Sequence, residues 1–203
     1  MFGHTNEPFV LSRDVSAVII PAGEKLHLRK GTSGFITQAL GGSFTIYIEG
    51  NLFRIAGSDA DSIGKEVEPP PEIPKNATNE DIEEVIWDQL RTCYDPEIPI
   101  NIVDLGLIYR CEIVEVDHDL KNVKIDMTLT APGCGMGDVL VEDAREKVAI
   151  IPVINNVEVE LVFDPPWSQE MMSDEAKLQT CLLYTSDAAD EGLGVDLGGR
   201  RII

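Results

Sequence analysis

The sequence is poor in basic residues. Its 203 residues include 16 lysines and arginines against 36 aspartates and glutamates, which gives a formal net charge of -20 at pH 7. A protein that binds nucleic acid needs a basic surface, and an anionic membrane repels an acidic protein. We therefore expect neither a nucleic-acid partner nor a membrane partner.

Long apolar runs are missing as well. No uninterrupted apolar stretch is long enough to span a bilayer. The first seven residues have neither the basic start nor the apolar run that a secretory signal needs. These absences predict a cytoplasmic protein.

Cysteine and histidine are scarce and scattered. The four cysteines are Cys93, Cys111, Cys134 and Cys181, and the three histidines are His4, His27 and His118. Because no two cysteines form a Cys-x-x-Cys pair, we expect reduced thiols rather than a disulfide framework. The histidines lie too far apart in sequence to suggest a zinc site.

The chain begins with a segment, residues 1–66, whose pattern predicts a small all-β domain. Several short stretches alternate between apolar and polar residues and end at glycine or proline. The clearest is a hairpin in which Phe44, Ile46 and Ile48 alternate with polar residues before a turn at Gly50-Asn51. Short strands joined by close turns are typical of a small barrel or sandwich.

Three further segments follow. Residues 67–77 are rich in proline and predict a semi-rigid linker. Residues 78–180 predict an α+β domain in the order α-β-β-α-β-α, a two-layer sandwich that starts with a helix capped by Thr78 and closes with a helix over residues 168–179. Residues 181–203 have no period and many glycines, and we interpret them as a non-native or disordered tail.

A glycine-rich joint between the second strand and the second helix of this domain carries Cys134. The start of a helix presents unpaired N–H groups and a partial positive charge, which favour a thiolate. The thiolate is the nucleophile and the metal ligand. We expect Cys134 to be the most reactive cysteine, Cys111 to be shielded and Cys93 to lie between them. The alternative is that Cys134 only fills a tight turn.

Four motifs lie in order along the second domain. They are Asp95-Pro96-Glu97, Asp104-Leu105-Gly106-Leu107-Ile108-Tyr109, Thr130-Ala131-Pro132-Gly133-Cys134-Gly135 and Asp164-Pro165-Pro166-Trp167. In this order they resemble the PaaD-like family of iron–sulfur cluster assembly proteins. The N-terminal unit resembles the SufT branch of that family through Leu11-Ser12-Arg13-Asp14, Ile20-Pro21-Ala22-Gly23 and Leu40-Gly41-Gly42-Ser43.

This resemblance covers roughly residues 10–179 and implies an accessory role in maturing iron–sulfur proteins. It implies that Cys134 is the key residue, with the acid Glu97 nearby. Iron–sulfur clusters are held by thiolates, typically four per cluster. Cys93, at the end of the first helix, is the second candidate ligand, and Glu97 either contacts the iron or only shapes its turn. One ligand per chain suits a transient cluster that is bridged across a homodimer or completed by external thiols.

The leading hypothesis is a maturation factor or carrier that is not an enzyme and that acts with iron–sulfur assembly proteins and client apo-proteins. One alternative is an adaptor that binds clients without metal. Another is a cysteine-dependent hydrolase or transferase, which needs a base to activate its thiol. His118 is the only histidine in the second domain, and it lies in a charged turn with no evident route to Cys134.

Overall fold

The computed structural model describes residues 6–74, 76–95, 98–117, 120–131, 133 and 135–180. Within them it contains two sheets, each with its own hydrophobic core. The expected fold class, an all-β unit followed by an α+β sandwich, is confirmed. No helix in the described residues is long and apolar enough to cross a bilayer.

The first sheet has six strands and contains no helical crossover. The strands are β1 (Glu7–Val10), β2 (Val15–Ile20), β3 (Lys25–Leu28), β4 (Ser33–Leu40), β5 (Ser43–Ile48) and β6 (Asn51–Ile55). They lie in the order β1-β4-β5-β6-β2-β3, and every neighbouring pair is antiparallel. Alternate side chains such as Ile46 and Ile55 point into the core and are fully buried. We refer to this part of the molecule as the N-terminal sheet.

Two elements of this unit were not predicted. β1 is a short edge strand that contains Pro8, and proline cannot donate a hydrogen bond to a neighbouring strand. A 3-10 helix, Gly57–Ile63, follows β6 and buries Ala60 and Ile63 against the sheet. Residues 65–74 then adopt neither helix nor strand.

The second sheet has three strands and three helices around it. The elements are α1 (Asn79–Leu90), β7 (Ile108–Asp117), β8 (Leu120–Met127), α2 (Gly137–Ala149), β9 (Ile154–Leu161) and α3 (Asp174–Gln179). β7 pairs antiparallel with β8, whereas β8 pairs parallel with β9. A parallel pair needs a long crossover, and α2 supplies it.

Thr78 caps α1, as predicted, and the structure shows that the cap is a reciprocal capping box. The Thr78 hydroxyl accepts a hydrogen bond from the Asp81 backbone N–H, and the Asp81 carboxylate accepts one from the Thr78 backbone N–H. The helix then buries Ile82, Ile86 and Leu90 against the three-stranded sheet. These residues recur at helical spacing, so a single face of α1 covers the core.

The closing helix predicted over residues 168–179 is wrong as a single element. The chain forms a 3-10 turn at Gln169–Met171, passes through extended backbone at Met172, and only then begins α3. The Ser173 hydroxyl accepts a hydrogen bond from the Ala176 N–H and so starts a new helix. The break places the Met172 side chain in the core, where it is almost fully buried.

Candidate functional site

The predicted strand–loop–helix joint is present: β8 ends at Met127 and α2 begins at Gly137. Cys134 and Glu97, the two residues on which the predicted site most depends, lie outside the described residues. Met136 precedes α2 and makes no side-chain capping bond to the helix. Met136 therefore leaves the partial positive charge at the start of α2 without a side-chain acceptor. Among the described residues, no group of three histidine, cysteine or acidic side chains could hold a metal ion.

Cys93, the second expected ligand, is fully buried. Its thiol lies 3.9 Å from the Gln89 carbonyl oxygen, within the turn that ends α1. Burial, and then the nearby Asp143 carboxylate, raise the pKa of this thiol well above its usual range. The neutral thiol is therefore strongly favoured, and cysteine here behaves as a small core residue. A metal-binding role for Cys93 stays a prediction, and its surroundings do not favour it.

Cys111 lies on β7 and is half-buried against the same core. Burial raises the pKa of its thiol to about 11. Cys111 is shielded, as expected, but it is less buried than Cys93, so the expected order of exposure of these two residues is wrong. The reason is that Cys93 packs at the end of α1, where the helix meets the N-terminal sheet.

The acidic residues of the motifs support the loop between α1 and β7. Asp95 is buried, and its Oδ1 accepts a hydrogen bond from the Ile98 N–H at 2.9 Å. The Asp104 Oδ2 accepts a hydrogen bond from the Asn101 side chain at 2.6 Å. Trp167 packs half-buried, with its indole N–H donating to the Leu105 carbonyl oxygen at 2.8 Å. These three motif residues therefore hold the loop together.

Two turns of the N-terminal sheet touch the loops that carry the motifs. Gly23, in the β2–β3 turn, lies against Gly135: a Cβ built on Gly23 would lie 1.8 Å from the Gly135 carbonyl oxygen. Gly41, in the β4–β5 turn, lies against the end of α1: its Cβ would lie 1.6 Å from the Thr92 carbonyl oxygen. Backbone approaches this close require residues without a side chain.

A buried ion pair joins β6 of the N-terminal sheet to helix α2. The Arg54 guanidinium, from β6, lies 2.6 Å from the Asp143 carboxylate of α2, and both side chains are about nine-tenths buried. One turn further along α2, the Lys147 ammonium donates to the Gly41 carbonyl oxygen at 2.5 Å. A buried pair of this kind is strongly destabilised when only one partner is removed.

A cleft of about 290 Å³ opens beside this ion pair, between β2, β6 and α2. Lys25 and Arg54 line it on the side of the sheet, and Glu142 and Glu146 line it on the side of α2. Desolvation, and then the carboxylates of Glu142 and Asp143, raise the pKa of Glu146 above its usual range. The cleft therefore concentrates negative charge on α2 opposite a smaller positive charge on the sheet.

The sequence carried no signal for these contacts. Arg54 and Asp143 are 89 positions apart by their residue numbers, and neither belongs to a recognisable motif. Gly23 and Gly41 lie within the Ile20-Pro21-Ala22-Gly23 and Leu40-Gly41-Gly42-Ser43 motifs. There they indicated turns, but nothing in the pattern indicated what the turns contact.

Comparison with known proteins finds relatives of the region that contains the three-stranded sheet. A family model described as iron–sulfur cluster assembly protein matches residues 83–161. An Fe-S protein maturation auxiliary factor of Porphyromonas gingivalis is 48% identical over 97 residues, which are 48% of this chain and 89% of that protein. The Fe-S protein maturation auxiliary factor SufT of Staphylococcus aureus is 45% identical over 84 residues, 41% of this chain and 91% of that protein.

A solved domain of unknown function from Bacillus anthracis is 36% identical and covers 51% of this chain and 94% of its own, with a TM-score of 0.45. The motifs and the sequence matches define the α+β sandwich as an assembly domain, which this chain joins to the N-terminal sheet. The chain belongs to the iron–sulfur cluster assembly protein family, which confirms the resemblance inferred from the four motifs of the second domain.

Proposed function

We propose that this protein is an auxiliary factor in the maturation of iron–sulfur proteins and that Cys134 is the thiolate that binds the iron of a transient cluster. The proposal is supported by the names of two relatives, both of which are maturation auxiliary factors. It is also supported by the position of Cys134 within the matched region, residues 83–161.

The observation that carries the ligand assignment is the state of the other two thiols in that region. Burial raises the pKa of both Cys93 and Cys111, so neither supplies a thiolate readily near neutral pH. An iron ligand must be deprotonated. Among the cysteines of the matched region, the role of thiolate ligand therefore falls to Cys134, with Glu97 proposed as a second contact to iron.

Transfer of the cluster to a client would proceed by ligand exchange. A client thiolate replaces the Cys134 thiolate on iron, and Cys134 leaves as a free thiolate with no change in oxidation state. One protein ligand is released in each exchange, which suits a carrier better than a permanent cofactor site with four ligands. Apo-proteins that supply cysteine thiolates are thus the proposed clients.

The test is anaerobic reconstitution of the full chain with ferrous iron and sulfide, followed by desalting and measurement of iron content and visible absorption. We expect Cys134→Ser to lose most of the retained iron. Cys111→Ser, the matched control at a half-buried thiol, should retain it. Cys93→Ser tests the second expected ligand in the same assay.

Two outcomes would contradict the proposal. If Cys134→Ser retains as much iron as the unmodified chain, the ligand assignment is wrong. If the unmodified chain retains no iron but still restores a client enzyme in cells that lack this protein, the adaptor function is correct instead. Matching melting temperatures for the variants would show that the loss of iron is not a loss of fold.

A further inference from the structure

We infer that the N-terminal sheet positions the two motif loops of the assembly domain, with Gly23 and Gly41 as the positioning residues. The cysteine loop and the end of α1 each rest on one turn of this sheet. The inference rests on the proposed function only because that function makes the position of Cys134 important. The positioning itself concerns described backbone contacts.

The first contact holds the cysteine loop. Gly23 has a φ of 74° and lies against the Gly135 carbonyl, as described above. The contact is reciprocal, because a Cβ built on Gly135 would lie 3.0 Å from the carbonyl oxygens of both Pro21 and Ala22. Gly135 directly follows Cys134 in the chain, so a shift of this backbone moves the residue that carries the thiol.

The second contact holds the start of the loop between α1 and β7, which carries the Asp95-Pro96-Glu97 motif. Gly41 has a φ of 54° and lies against the Thr92 carbonyl. Thr92 follows α1 and precedes the Asp95-Pro96-Glu97 motif by three residues. The N-terminal sheet thus reaches two of the loops that carry the family motifs, although β3 and β4 separate the two turns along the chain.

The two contacts are tied together through α2. Its Asp143 and Lys147 bind Arg54 and the Gly41 carbonyl, respectively, and both partners belong to the N-terminal sheet. The same helix begins two residues after Gly135. The sheet therefore fixes α2 and both loops as one assembly, since a shift at one contact must be accommodated at the others.

This arrangement goes beyond the matched assembly domain. The aligned regions cover 89% and 91% of the two bacterial auxiliary factors, which leaves too little of either relative for a second six-stranded sheet. In those relatives the corresponding loops have no such sheet to rest on. In this chain the added sheet supplies none of the proposed iron ligands, but through Gly23 it controls the position of the Gly135 backbone in the cysteine loop.

A matched pair of glycine variants tests the inference. Gly23→Ala and Gly50→Ala both place a side chain at positive φ, which costs about 1–2 kcal/mol. Gly50 has a φ of 90° and nothing within 4 Å of its Cβ position, whereas the Cβ of Gly23→Ala meets the Gly135 carbonyl. The strain is thus common to both variants, and only the contact with the loop differs.

The measurements are hydrogen exchange of peptides covering residues 129–140 and the rate of Cys134 alkylation by iodoacetamide, both on the full chain without iron. For Gly23→Ala we expect exchange of the Gly135 to Gly137 amides and the alkylation rate to rise at least several-fold. For Gly50→Ala we expect both to stay within twofold of the unmodified chain. Equal behaviour of the two variants would overturn the inference.

A second variant keeps the inference testable if Gly23→Ala does not fold. Lys147→Met keeps most of the side-chain volume and removes the ammonium group together with its hydrogen bond to the Gly41 carbonyl. We expect faster exchange around Thr92 and a smaller rise in Cys134 alkylation, and no change at either place would contradict the positioning role. Because these readouts need no iron, they remain valid even if Cys134→Ser retains iron and the ligand assignment fails.

Discussion

The two sheets of this protein differ in how their strands are connected, and that difference explains why the proposed thiolate belongs to a strand-to-helix joint. The N-terminal sheet is wholly antiparallel, so most of its strands are joined by short turns. The three-stranded sheet contains the parallel pair β8–β9, which requires a crossover. The cysteine loop is the entry to that crossover. A strand-to-helix joint can present a thiol at a helix end, whereas a tight hairpin turn presents mainly backbone.

The comparison also shows how each unit depends on the other. The assembly domain carries the four motifs that match the family, and the N-terminal sheet carries the turns and the arginine that contact it. The interface between them is polar at its centre, where Arg54 meets Asp143. Such a pair fixes the relative position of its partners more than it adds net stability.

The largest expected effect comes from removing one side of this pair. Arg54→Met leaves the Asp143 carboxylate buried without its counter-ion, which should cost about 3–5 kcal/mol. The double variant Arg54→Met with Asp143→Leu should recover most of that loss, because no buried charge remains. Urea denaturation of the full chain measures both free energies of unfolding. If the double variant is as unstable as the single variant, the loss of stability does not come from leaving the Asp143 carboxylate without its counter-ion.

The next effect in size tests whether the two hydrophobic cores unfold independently. Ile46→Ala in the N-terminal sheet and Ile125→Ala in β8 each remove a fully buried side chain, at a cost of about 2–5 kcal/mol. If residues 1–66 and 78–180 are separate domains joined by the linker 67–77, each variant should speed hydrogen exchange in its own sheet. Protection of the other sheet should stay unchanged. Equal loss of protection in both sheets would mean that the chain unfolds as one unit.

The smallest effect concerns Glu146, in the cleft between the two units. Its pKa is raised above the ordinary glutamate value of 4.5, so the charged form is disfavoured in the folded state. Stability associated with this group is therefore present below pH 4.5 and is lost as the pH rises through the folded pKa. Glu146→Gln should raise the free energy of unfolding at pH 7 by no more than about 0.5 kcal/mol, because solvent screens part of the repulsion.

The gain from Glu146→Gln should shrink at pH 4, because pH 4 lies below the ordinary pKa of glutamate and the raised pKa in the folded state favours the neutral form further. Thermal melts of the two proteins at pH 7 and pH 4 provide the comparison. Glu84→Gln, at an exposed position on α1, serves as the control for removing a carboxylate outside the cleft. A gain that stays undiminished at pH 4 would assign the effect to something other than the charge of Glu146.

Local sequence patterns were sufficient to predict most of the helices and strands and to indicate the family. The capping box at Thr78, the alternation in β5 and the strand before the cysteine loop follow from short-range rules of period and capping, so they could be predicted. The motifs themselves were enough to indicate iron–sulfur assembly. The edge strand β1 was missed because Pro8 argues against a strand, and an edge position tolerates it.

Tertiary structure alone decided how the two units meet. Cys93 ends α1 in the sequence, but its burial depends on α2 and the N-terminal sheet closing over it. Gly23 indicated a turn, but its contact with Gly135 joins positions more than a hundred residues apart. Local patterns report which face of an element is apolar. They do not report which distant backbone will lie against a turn, because that depends on how the completed sheets and helices pack.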